Sequence, residues 1–451
     1  MLTRTANRDD TRFSFWPRVR EFAVPASMIE TATARRRAGD WAGACAAAHL
    51  DVDLDLRAVA AAHGRDIASR IKADLRHLAP DLLRWHLPRV APDGLLRPGL
   101  TVALARYDRP GRDDTTCDTK WPVHLVVRTP PAWADAGQRI SLAVWDGAHD
   151  GHPHPHPKPN RRFRLDLHRH LWDARRTDEL RERAGTAPDG RGRAVDRWAD
   201  EAEILLRADA TTRSTSVLVR LGKRQRLVLD GVGASTFRIT EPPPRGDGSA
   251  LPVLPDAATW APPDLELIRA GAIDVDRLHP LVASALAPGH EPAAAGSLRA
   301  DDLAGRPRLV ECRGDTHRIG LVDGVLVPLD HEPGEIRREE LLVALTGTPL
   351  PCLQAIDDAH RRPDCLTGVR ERLVHGDIAG ALAVVEGLLG ADAVLRDGAL
   401  RDELEAAARR RITYGLFRAG LATPGPRRVG LRPSADRPRG HRSHPRHTLG
   451  R

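Results

Sequence analysis

The chain has 451 residues and a mass of 49.3 kDa, which is long enough for two or three domains with cores of their own. With 41% hydrophobic residues and no stretch of ~18 uncharged apolar residues, the composition argues against wholesale disorder and against a transmembrane helix. The opening MLTRTANRDDTRF carries acids and no apolar run, so a secretory leader is not expected.

The net charge of +8 is unevenly placed. Only Lys72, Lys120, Lys158 and Lys223 are lysines, so arginine supplies nearly all the positive charge. Dominance of Ala, Arg, Gly, Pro and Asp points to a high-GC bacterial genome. Residues 425–451 hold eight arginines and one acid, Asp436, for a net charge of +7, which leaves about +1 for the rest. The five cysteines are odd in number and widely spaced, with no C-x-x-C pair, so reduced thiols in a cytoplasmic protein are expected.

In chain order, residues 1–25 read as a flexible start and 26–99 as a helical segment. In DIASRIKADLRHL the residues Ile67, Ile71, Leu75 and Leu78 step by four and three, a stripe that belongs against a core. From residue 100 the period becomes two, and LTVALARY, PVHLVVRT and RISLAVW read as strands. Helical stretches are expected around 167–183 and 194–203, followed by strands EILLRA, SVLVRL and RLVLDG, the last two joined as a hairpin at Gly222-Lys223. Residues 100–240 therefore form an α+β domain with an antiparallel sheet. The Pro/Gly-rich 241–307 reads as a linker with short helices. Residues 308–420 read as a β-hairpin plus helices, with Asp323-Gly324 as a two-residue turn. Residues 421–451 read as a disordered basic tail. The fold class is α+β.

Two segments, ARRRAGDWAGACAAA and RERLVHGDIAGALAVV, share G-D-x-A-G-A-x-A. Gly39 and Gly376 are expected to end one helix in a left-handed cap, with Asp40 and Asp377 capping the next. Over about ten residues each resembles the turn of a tetratricopeptide-type helical hairpin, but the ~34-residue period is absent, so no repeat array follows.

Histidine-rich AHDGHPHPHP makes His152, His154 and His156 candidate metal ligands, although alternating His-Pro favours an extended segment that does not converge donors. In the second hairpin, a turn centred on Asp323-Gly324 pairs residues whose numbers sum to 647. His317 then faces Asp330, with His331 adjacent and Cys312 further along, a set that could support thiolate chemistry in a hydrolase. Cys312, His317, His331 and Cys352 could alternatively hold zinc, although their spacing matches no common pattern. Asp357 and His360 share a helical face in QAIDDAHRRPDC. No Gly-rich phosphate loop occurs, and no cofactor is implied. The tail arginines Arg427, Arg428, Arg432, Arg437, Arg439, Arg442 and Arg446 could contact a polyanion by charge, but no aromatic residue lies among them to stack on bases. The expected function is a non-catalytic interaction or accessory role with another protein as partner and no membrane contact. The alternatives are the hydrolase and nucleic-acid binding through the tail.

Overall fold

The computed structural model describes residues 14–108, 122–147, 154–185, 192–209, 214–222, 225–233, 237–241, 251–290, 307–312, 314–347 and 349–422. It is a mixed α+β protein in which small sheets are embedded among helices. None of its described helices is long and apolar enough to cross a membrane.

Residues 16–23, read from the sequence as part of a flexible start, are helical, with Val19 and Ala23 fully buried in the largest core; a helical hairpin follows, α1 (Ala26–Arg37) and α2 (Trp41–Ala47). Gly39 turns between them at φ +79°, and the Asp40 carboxylate accepts from the Gly43 amide at 2.8 Å. His49, at φ +56°, then redirects the chain into a short strand, β1 (Leu50–Asp53). That strand interrupts a region whose composition reads as helical throughout. Next come α3 (Leu56–His63), α4 (Arg65–His77) and α5 (Pro80–His86). The α4 stripe Ile67, Ile71 and Leu75 is buried, as is Leu78 just after it.

The central sheet is built from β2 (Thr101–Tyr107), β3 (Val123–Arg128) and β4 (Ile140–Trp145), which run antiparallel, and β1 is added parallel to β4 at the edge. Residues 167–183 form short 3-10 turns and one helical turn rather than a helix. The buried Asp173 draws Arg169 and Arg175 onto its carboxylate there. EILLRA is likewise not a strand. It completes α6 (Trp198–Ala208), because Trp198, Ala202 and Leu205, spaced by four and three, form one buried face. That face packs on a second sheet of β5 (Val217–Arg220), β6 (Arg226–Asp230) and β7 (Arg238–Thr240).

Within the stretch that reads as a linker, residues 251–290 pack into the body. Leu267 of α7 (Pro263–Arg269) and Val282 of α8 (Pro280–Leu286) join the largest core. The fully buried Asp264 accepts from the Trp85 indole at 2.8 Å. Apolar residues at helical spacing outweigh the flanking prolines.

The second half begins with β8 (Arg308–Cys312), β9 (Asp315–Val322) and β10 (Val325–Pro328), an antiparallel meander with Val322 opposite Val325 and Ile319 opposite Pro328. Asp323 and Gly324 both take positive φ in the turn. Five helices follow: α9 (Pro333–Thr346), α10 (Pro351–Arg361), α11 (Leu366–His375), α12 (Ile378–Leu389) and α13 (Ala399–Arg418). The α11–α12 turn repeats the α1–α2 turn. Gly376 sits at φ +95°, and Asp377 accepts from Gly380 N at 2.9 Å and from Arg372, five residues back, as Asp40 does from Arg35.

The halves meet at this second turn. Arg84, fully buried, donates to the carbonyls of Ala23 (2.9 Å), Gln138 (2.6 Å) and His375 (3.0 Å). A Cβ on Gly376 would collide with the Gly137 carbonyl, so glycine is required at this approach. Around it lie ion pairs Arg18–Glu371 and Arg418–Asp53 and the Tyr414 hydroxyl bonded to Asp51 at 2.7 Å.

Replacing Arg84 by Met should lower unfolding free energy by about 3 kcal/mol, because three buried carbonyls lose a charged donor. Chemical denaturation checks this, and an unmoved midpoint would exclude a clamping role. Glu201 yields a pH prediction. Burial alone would raise its pKa, but hydrogen bonds from His168 and Arg183 hold it at about 2. A carboxylate depressed in the fold adds stability above its unfolded pKa and loses it as pH falls toward the folded value. About 3 kcal/mol should therefore disappear between roughly pH 4.5 and 2, and Glu201→Gln should flatten that dependence in acid denaturation.

Candidate metal centre

Three elements deliver donors to one point in the C-terminal half. Cys312 ends β8, His331 follows β10, and Cys352 opens α10. Their Sγ and imidazole nitrogen atoms lie within 4.8 Å of one another. Both cysteines are fully buried, and the His331 side chain is 5% exposed. The pocket walls are apolar, formed by Ile319, Leu350 and Ile356. A tetrahedral zinc with Zn–S of about 2.3 Å and Zn–N of about 2.0 Å needs donors this close.

The hydrogen bonding leaves lone pairs where a metal would use them. His331 Nδ1 faces the Glu335 carboxylate at 3.4 Å, one helical turn on, while its buried Nε2 has no partner. A carboxylate on the far nitrogen orients a ligating imidazole and raises its basicity. His317 stacks on His331 at 4.3 Å between ring centroids and 14° between planes, and its buried Nδ1 is also unpartnered. A metal lies in the plane of each imidazole that binds it, so His317 must tilt out of this stack to supply a fourth donor. With no metal, burial and the neighbouring Cys312 thiol push the Cys352 thiol up to about 11. Metal binding must then displace its proton.

Of the set expected for a hydrolase, Cys312 and His331 are brought together, but Asp330 orients neither imidazole. Asp330 accepts from the Arg318 backbone amide at 2.7 Å and from its guanidinium at 2.7 Å, rather than from either imidazole.

The remaining candidates fall as follows. His154 is structural. Its Nε2–H donates to the Thr129 carbonyl at 2.9 Å and its Nδ1 accepts from the His156 amide at 3.2 Å, so neither nitrogen offers a lone pair, and His156 is exposed. This removes His154 from the expected metal set; His152 lies outside the described residues. So do all seven tail arginines, Arg427, Arg428, Arg432, Arg437, Arg439, Arg442 and Arg446. Gly39, Asp40, Gly376 and Asp377 sit at the two helical turns described above. Asp357 is taken by Arg361 and Arg396 at 2.7 Å each and does not pair with His360. Glu335 was not anticipated, although its four-residue offset from His331 in HEPGE was readable.

No family model, no curated protein and no solved structure matches this chain.

Zinc binding here should release up to two protons per ion and weaken by about tenfold per pH unit for each proton released. Competition titrations with a chromophoric chelator between pH 6 and 8 measure this slope; a pH-independent affinity would mean that the thiols are not ligands.

Proposed function

We propose that the chain is a non-catalytic, cytoplasmic interaction protein whose C-terminal half is ordered by one zinc ion, and that it presents α9 to an amphipathic helix of a partner protein. The observation that carries this reading is the convergence of Cys312, His331 and Cys352, with His317 beside them, from elements that share only a small apolar core. Three donors converge as the structure stands, and His317 would close the fourth position by tilting out of its stack on His331, which would make the ion structural rather than catalytic.

The site sits at the root of α9, which begins two residues after His331, and Glu335 in its first turn holds the His331 ring. Beyond that root α9 has no buried residue. Leu341, Leu342 and Leu345 are 64%, 50% and 86% exposed and, at spacings of three and four, share one face. Leucines laid out this way seat against a matching apolar stripe, and mixed flanking charge (Arg337, Arg338, Glu339, Glu340) suits a solvated rim. The buried, reduced Cys45 and Cys352 fit a reducing compartment.

Elemental analysis of protein purified without chelator should return one zinc per chain, and Cys312→Ser should lose it together with much of the thermal stability. Absence of zinc, or a Cys312–Cys352 disulfide in the intact mass, would overturn the metal reading. Leu341→Glu/Leu345→Glu should keep zinc and fold but lose the crosslinks that α9 makes to a heterologous helical segment. Crosslinks that survive the double variant, or that join only copies of this chain, would overturn the docking reading.

A further inference from the structure

A cavity of about 320 Å³ opens in the N-terminal half, far from the metal donors in sequence, between the chain after α5, residues 162–171 and residues 256–263. That volume is at the lower end of small-ligand sites and suits one compact molecule. Three of its lining residues carry buried polar atoms without partners: His86 Nε2, Arg89 Nε and His170 Nδ1. Buried polar atoms are nearly always satisfied, so three orphans around one cavity mark groups that a ligand would complete. The His170 residue is 4% exposed and the His86 side chain 3%, and the carboxylate nearest to His86 Nε2, that of Asp264, is 3.9 Å away.

The lining charge is sorted in an informative way. Arg162, Arg164 and Arg183 are bound by Asp256, Asp166 and Glu201. Arg89 and Arg97 have no carboxylate partner. Arg89 donates only to the carbonyls of Gly94 and Arg84 and lies over the Trp16 ring at 5.8 Å, and Arg97 lies over the Phe163 ring at 5.9 Å. Two uncompensated guanidiniums suit a phosphate dianion. Trp16, Phe163 and Trp260 supply aromatic walls for a flat ring. Burial lowers the pKa of His86 to about 4 and that of His170 well below the ordinary value, so both are neutral near pH 7 and can meet donor and acceptor edges of a heterocycle. A plain arene has no such edges.

We propose that this cavity is a binding site for a nucleoside monophosphate, with phosphate at Arg89 and Arg97 and the base between the aromatic walls and the two imidazoles. Recognition would run through side chains, which is consistent with a sequence lacking any Gly-rich phosphate loop. The proposal is independent of the zinc reading.

Isothermal titration of the full-length protein as purified with AMP, GMP, CMP and UMP tests it. At least one should bind saturably at one site per chain. Adenosine or guanosine without phosphate, and inorganic phosphate alone, should each bind at least tenfold more weakly than the best nucleotide. Arg97→Gln should weaken the nucleotide at least tenfold while leaving thermal stability unchanged, since Arg97 is exposed and has no carboxylate to lose. No saturable binding by any of the four up to millimolar concentration would overturn the proposal. So would phosphate or a nucleoside binding as tightly as the nucleotide, or an Arg97→Gln protein with undiminished affinity.

Discussion

The protein is joined through one buried guanidinium. Arg84 leaves α5 and reaches three carbonyls at Ala23, Gln138 and His375, residues that share no secondary structure. Its five N–H groups lie in a fixed plane, so satisfying three acceptors also fixes the relative angles of the segments that carry them. Burial lowers its pKa only to about 10, so the charge persists. The cost of burying it is offset by those carbonyls and by the field of Asp135. Everything that crosses between the halves is arranged around this contact. The glycine pair Gly137–Gly376 permits the close approach, Arg18–Glu371 closes one side, and Tyr414 on Asp51 closes the other.

The two halves solve the stability problem by different means. The N-terminal half has a large contiguous apolar core that includes Trp85 and Trp172 and takes in residues 251–290. It can therefore bury networks such as His168–Glu201–Arg183 and still fold. The meander of the C-terminal half contributes only a small cluster, Cys312, Ile319, Leu350, Cys352 and Ile356. The helices behind it form a core of their own that includes Val369, Leu373, Val385, Leu389 and Leu400, and Leu326 of β10 packs against both; a zinc ion at the meander would add to these, structural zinc contributing about 10–16 kcal/mol in isolated zinc-finger peptides. Two of the five buried members of the meander cluster are the cysteines, so the candidate donors are part of this small core.

What was legible in the sequence follows from the range of the interaction responsible. The register of the second hairpin could be read because Asp323-Gly324 fixes it locally, and the α4 stripe because helical periodicity is local. The twin turns at Gly39 and Gly376 could be read because a cap needs only a glycine and an aspartate side by side. Strand β1 could not, since its partner β4 lies about ninety residues away and nothing in LDVD distinguishes it from a helical connection. The fate of EILLRA was hidden because six apolar-rich residues fit either period until Trp198 and Ala202 extend the helical one. The four possible zinc donors were noticed as a set, but their spacings of five, fourteen and twenty-one residues match no pattern because each comes from a different loop or element. Arg84 was invisible for a plainer reason. In a chain where arginine supplies almost all the positive charge, nothing marks the one that is fully buried.

Arginine abundance also sets what stands out once the fold is known. Many described arginines within the body end on a carboxylate, among them Arg164 on Asp166, Arg169 on Asp74, Arg318 on Asp330 and Arg372 on Asp377. The near-neutral charge outside the tail is therefore the sum of many local pairings rather than a dilution of charge over the surface. Arg89 and Arg97 are not among these paired arginines; they line the same cavity, and each sits over an aromatic ring. Among the unsatisfied imidazole atoms, those of His86 and His170 open on that cavity and those of His317 and His331 belong to or adjoin the cysteine site, while others lie at His360 and His375. Buried polarity left unpaired is costly at any single position. Where several such atoms face one cavity or one set of donors, as they do at these two places, a single ligand can satisfy them together, and that is the physical reason to assign ligands there.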